Sequence, residues 1–508
     1  MAAKNALLLC ALGAVATWGV PAARAQDNPP LSAIEWLNQT PTVTLDLGLE
    51  EPPVTATGQQ PDITVDTLDA PGRDAVGLLP SHVTGLPDSL WQHSRAETLA
   101  QLIAEQPTTQ VPAMQALLYT LLLAEANAPW DAGENDLLLL ARIDKLIEMG
   151  ALEQAAALLE RAGPTTPPLF SRWFDVTLLM GQEDAACAAL VASPRLTSDY
   201  AARIFCTARA GDWNGAVLML ESANALDLIT DEEDALLVRF LDPELFEGQP
   251  ILVAHSAPTP LIYRLYEAIG EPQPSRGLPR AFAHADLRGI VGWKPRLEAA
   301  ERLARTGALP ENRLLGIYSE GKPSASGMIW DRVAAIQAFD DALTSGDKMA
   351  VADTLPRAWT AMQSVHLEVA FARLYGSRLL ALPLQGVTKR LARDIALLSP
   401  SYEQASHAGP RDFLAGLAQG TPPRTPTDPQ QRAISDGFHE ARVPQEISAM
   451  LARGQLGEVI LNAMSLMADG AYGNPAALTD ALAILRAVGL EDTARRAAMQ
   501  VALIDTRG

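Results

Sequence analysis

Three glycines, Gly150, Gly181 and Gly211, stand 31 and 30 residues apart, and each separates one apolar helical segment from the next. Five residues after them come Ala155, Ala186 and Ala216, nine after come Leu159, Leu190 and Leu220, and twelve after come Ala162, Ser193 and Ala223. Small residues let two helices approach closely, and the large one fills the space between them. A helical hairpin patterned this way leaves an apolar face that only the next hairpin covers, so the chain must grow by stacking.

On these residues the stretch resembles the tetratricopeptide-repeat class, in which a glycine-like turn is followed at the same offsets by small, large and small side chains. Pro167 sits where that class often closes a unit with proline. Two departures stand out. Ile143, Phe174 and Ile204 occupy the position seven before the turn, where the class uses a small residue, and the unit is shorter than the usual length of about 34 residues. The resemblance implies a degenerate tetratricopeptide-like α-solenoid of the bacterial periplasm, with clear repetition over residues 134 to 226.

The rest of the body has the same texture. From about residue 94 onward, Ala- and Leu-rich segments with helical spacing are interrupted by Gly, Pro or Asp, and almost no strand-like run occurs. Ala477 to Val488 and Leu490 to Leu503 form a further hairpin around Gly489, with Ala494 five residues beyond the turn, and the segments around Gly454 form its predecessor. The expected fold is all-α: an α-solenoid of stacked helical hairpins preceded by an extended, Pro-rich N-terminal arm. The expected organisation is a leader over 1–25, the arm over 26–92, tetratricopeptide-like repeats over 93–245, an irregular helical region over 246–417 and C-terminal hairpins over 418–508.

The first 25 residues carry Lys4, an apolar run from Ala6 to Val20, and Ala23-Arg24-Ala25 before Gln26, the three parts of a secretory signal peptide cleaved near Ala25. Cys10 has Leu9 before it and lies early in the apolar run, which does not suit a lipid anchor. No later run approaches the roughly 20 apolar residues of a membrane span. A periplasmic product with no span after processing is expected. In the arm, Leu31, Ile34, Trp36 and Leu37 form a short amphipathic segment suited either to docking on a partner or to packing back on the body.

Acidic residues outnumber basic ones by 60 to 39, a net charge of -21 that becomes -23 once Lys4 and Arg24 leave with the leader. Such a surface repels nucleic acid and anionic lipid, so the expected partners are proteins, specifically proteins of the cell envelope. Cys187 and Cys206 fall on neighbouring helices, where an antiparallel turn near Pro194 would bring them level, either as a disulfide or as two small packed side chains. The oligomeric state has no signature.

No catalytic, cofactor-binding or metal-binding residue is assigned. Gly316 to Lys322 has the spacing of a phosphate loop, but Pro323 stands where a Ser or Thr must reach magnesium. Ser345-Gly346-Asp347-Lys348 fits S-x-x-K without the companion motifs of penicillin-recognising enzymes and reads as a turn. The seven histidines never fall three to five residues apart, as zinc sites on helices require. Trp173, Phe174 and Trp213 are expected in the core. These features favour a binding scaffold of a cell-envelope machine, with the flagellar motor as the most specific expectation. The alternatives are a cell-wall or outer-membrane assembly factor and a peptidoglycan-lytic enzyme; the latter would need a lysozyme-like domain around an essential Glu, and no segment resembles one.

Overall fold

Each repeat glycine ends a helix in the same way. Leu137–Met149 stops at Gly150, whose φ of 80° only glycine adopts without strain. The Gly150 N–H bonds to the Ile147 carbonyl and the Ala151 N–H to that of Leu146. Gly181 and Gly211 copy the arrangement, with Gln182 donating to Thr177 and Asp212 to Thr207. This pair of bonds satisfies carbonyls that a helix end otherwise leaves open, and it turns the chain sharply into the next helix. The same bonds recur at Gly270, Gly307, Gly454 and Gly489, and at His366 with a φ of 55°. The hairpin device thus continues well beyond the region where repetition is visible in sequence.

The computed structural model describes residues 72–323, 325–439 and 442–504. The leader, the Leu31, Ile34, Trp36 and Leu37 segment and the arm up to residue 71 lie outside the described residues. Among these there are 25 α-helices, packed against their neighbours in stacked pairs, and the sole β feature is an isolated bridge between Leu79 and Ala124. None of these helices is long and apolar enough to cross a membrane.

Repeat packing follows the sequence pattern at two of its three small-large-small positions. Ala155, Ala186 and Ala216 are wholly buried, and Leu159, Leu190 and Leu220 fill the gaps beside them. Burying each leucine contributes about 2 kcal/mol. The third position diverges: Ala223 is buried, whereas Ser193 is exposed. Ile143, Phe174 and Ile204, the departures from the family pattern, are buried too, and Phe174 stacks on Phe170 at 6.0 Å.

Asp184–Ala192 and Tyr200–Arg209 run antiparallel around a 3-10 turn at Pro194–Leu196. A disulfide joins Cys187 to Cys206, with Cα atoms 4.8 Å apart. Closing a loop of 19 residues contributes about 3 kcal/mol on the chain-entropy account.

The helix Leu137–Met149 is where remote parts of the chain are fastened. Arg142, completely buried, donates to the carbonyls of Leu122 at 2.8 Å, Ala124 at 2.9 Å and Val76 at 2.8 Å. Lys145 reaches the carbonyls of Ala104 and Gln106, both at 2.8 Å. These two cations therefore satisfy open carbonyls at the C-terminal ends of Pro112–Leu123 and Ala96–Glu105.

Arg142 also holds the stretch 74–79, which leaves the 3-10 turn Arg73–Ala75; there Asp74 accepts the Leu139 N–H at 2.8 Å, and Leu78 and Leu79 both donate to the Leu123 carbonyl. Leu90 and Trp91 are fully buried. Residues 72–92, read as arm from their prolines, are irregular but packed, because buried polar partners replace the missing helical bonds. The ordered body begins ahead of residue 92.

Its two ends meet. Gln106 donates to the Leu461 carbonyl at 3.1 Å, and the Ala113 N–H donates to Gln500 at 2.7 Å. Leu456–Ala471 packs against Ala96–Glu105, and Glu491–Leu503 against Pro112–Leu123. The described residues, 72–504, make one compact unit.

Candidate interaction surface

Stacked hairpins offer their first helices as a binding face, but here much of that face is covered by the same chain. Pro260–Ala268 packs on Pro167–Met180, and the segment 280–286 packs on both Leu137–Met149 and Pro167–Met180. His284 Nε2 lies 2.6 Å from the Gly150 carbonyl, and Thr306 donates to that of Met149 at 2.7 Å. A Cβ on Gly150 would stand 2.7 Å from Leu303, and one on Gly181 would stand 3.1 Å from Arg288. The corresponding point on Gly211 faces open space.

The turn of the third repeat is accordingly the open one of the three. Asp212 caps Trp213–Ala225 by accepting the Gly215 N–H at 2.9 Å. Ala216, Leu220 and Ala223 point into the stack. Trp213 and Val217 flank that buried face and Leu218 lies on the outer side, all three exposed, and Leu226 and Leu228 are exposed past the helix end; Leu218 retains 65% and Leu226 67% of its accessible surface. Trp213 is only partly sheltered, its ring 5.8 Å from that of Phe240. Of the three aromatics expected in the core, Trp173 and Phe174 are buried, whereas Trp213, at the first turn of its helix, is covered only in part by Phe240 and stays exposed.

These apolar side chains belong to an acidic stretch of the chain. Residues 210–250 contain ten acidic side chains and one basic one, Arg239, which is itself paired with Glu271 at 3.1 Å. Thr230 caps Asp231–Leu241 in a reciprocal arrangement with Glu233, and four consecutive acidic residues fill the first turn, where the helix dipole favours them. Nearby, burial and the neighbouring Asp199 push the Asp175 carboxyl up to about 7.

The chemical motifs noted in sequence resolve into helix architecture. Gly316 lies within Glu311–Tyr318, and Gly321 packs against the Trp293 ring, so no phosphate loop forms. Ser345 ends a helix and Asp347 caps the next by accepting the Met349 N–H. Among the described residues no group of three His, Cys, Asp or Glu side chains is placed to hold a metal ion.

Sequence reasoning missed these exposed apolar side chains, although Val217, Leu218, Leu226 and Leu228 were legible as large residues outside the small-large-small register. The buried roles of Arg142 and Lys145 had no such signal. No protein-family model, curated protein or solved structure matches the chain.

Proposed function

We propose that this chain is an exported, tetratricopeptide-like scaffold of the cell envelope, and that its third repeat holds a basic amphipathic segment of a partner protein. The carrying observation is the group of exposed apolar side chains Trp213, Val217, Leu218, Leu226 and Leu228 in a stretch, residues 210–250, with ten acidic residues and one basic one. Apolar area supplies affinity, and the acidic surround selects a partner bearing Lys and Arg beside its apolar face. The secretory leader and the Cys187–Cys206 disulfide support a place in an oxidising compartment. Of the envelope machines such a scaffold serves, the flagellar motor is proposed first, followed by cell-wall or outer-membrane assembly.

The test is a calorimetric titration of the full chain with a synthetic amphipathic helix built from Leu and Lys, and with its counterpart in which Glu replaces Lys. The Lys peptide is expected to bind, to weaken as salt rises, and to lose about tenfold or more in affinity against Leu218→Lys, which removes apolar contact and adds repulsion. Equal binding of both peptides overturns the charge argument. Self-association of the wild type that Leu218→Lys abolishes in sedimentation would make a second copy the occupant and overturn the proposal.

A further inference from the structure

Most partly buried arginines in this fold have carboxylate partners. Arg264 and Arg288 share Glu267, Arg332 pairs with Glu301 at 2.7 Å, and Arg393 grips both oxygens of Asp412 at 2.7 Å. The half-buried Arg280 and Arg302 and the exposed Arg305 differ: among the described residues none has a carboxylate within ion-pairing distance. Arg302 donates to the carbonyls of Ser275 and Leu278, and Arg305 Nε to that of Val365 at 2.9 Å. Arg280 Nε is buried with no partner, and so is the hydroxyl of nearby Tyr119.

Arg302 and Arg305 line a cleft that adjoins a smaller cavity, whereas Arg280 borders neither. A cleft of about 1610 Å³ is bordered by Arg276, Arg302 and Arg305, and a smaller cavity of about 250 Å³ by Tyr119, Arg305 and Arg373. Arg305 lines both. The larger cleft carries six cationic side chains against four carboxylates. All four carboxylates are engaged: Glu267 and Glu301 as above, Glu298 by Lys294, and Asp286 by the Ser275 hydroxyl. In the smaller cavity the one carboxylate is Glu311. A chain with a net charge of -21 therefore concentrates surplus positive charge at one concave place.

We infer that the junction around Arg305 is a binding site for an oxyanion, the phosphate or carboxylate group of a ligand small enough to enter the cleft. Guanidinium groups present paired donors that match either acceptor. Burial first, and then a neighbouring guanidinium (Arg302 beside Arg280, Arg305 beside Arg302), holds Arg280 and Arg302 below their usual pKa, and an anion in the cleft relieves that cost at Arg302. The site lies away from the exposed apolar side chains of the third repeat and does not depend on what binds there.

The experiment is a calorimetric titration of the full-length protein at low ionic strength with inorganic phosphate and, separately, with citrate, against chloride as control. Saturable binding of at least one is expected. Phosphate alone assigns a phosphorylated ligand, and citrate alone a carboxylate-bearing one. Arg305→Ala and Arg373→Ala, each breaking no ion pair, are expected to weaken that binding by about tenfold each while the melting curve stays in place. Absence of saturable binding for both anions, or full retention in both variants, would overturn the inference.

Discussion

The first two repeats and the third share one motif but not one fate. Gly150 and Gly181 turn beneath Leu303 and Arg288, and the helices preceding them carry 260–268 and 280–286 on their surfaces. Gly211 makes the same two turn bonds and faces open space. The repeat pattern specifies how a hairpin closes and what it offers its neighbour in the stack. It does not specify what else the chain lays across it, so identical signatures produce a covered structural core at one end and an exposed surface at the other.

Four substitutions probe this contrast, in descending order of expected effect. Arg142→Met leaves the carbonyls of Leu122, Ala124 and Val76 without their buried donor, and is expected to destabilise by about 4 kcal/mol in denaturant unfolding. A loss below about 1 kcal/mol would show that the first repeat is not the fastening point described above.

Gly150→Ala combines a positive φ with a close approach to Leu303 and is expected to cost about 3 kcal/mol, against about 1 kcal/mol for Gly211→Ala, where only the backbone is strained. Equal costs would erase the distinction between covered and open repeats.

The smallest effect is one of pH. The Asp175 carboxyl is raised to about 7 by burial and by Asp199, so the folded chain binds that proton more tightly than the unfolded chain does. The stability this proton contributes is present in full below the ordinary aspartate range and declines as pH rises through about 7. Asp175→Asn should flatten that part of the stability-pH curve between the second and third repeats, and an unchanged slope would rule out Asp175 as its source.

The all-α class and the glycine turns were readable because both depend on local periodicity and on the backbone freedom of one residue type. So was the antiparallel placement of Cys187 and Cys206, although whether their sulfurs were joined was left open. Arg142 and Lys145 were not readable, since a cation in an otherwise apolar helix looks like a solvent-facing residue until the carbonyls of distant helix ends are brought to it. Trp213 was misplaced for the opposite reason: an aromatic at helical spacing implies a core only when another element arrives to cover it. Arg280, Arg302 and Arg305 lie 22 and 3 residues apart with no motif, and their convergence comes from tertiary packing alone.

The bonds from Gln106 to Leu461 and from Ala113 to Gln500 bear on the order in which such a chain can assemble. An open array of hairpins can add units from one end, each new pair completing the last. Here the earliest helices wait for the latest, and contacts spanning more than 350 residues must form before either terminus of the body is finished. Contacts so remote in sequence make for slow folding. A chain emerging N-terminus first would therefore carry half-covered apolar helices until its last helix had appeared, and a truncation near residue 456 would leave its mark about 350 residues upstream.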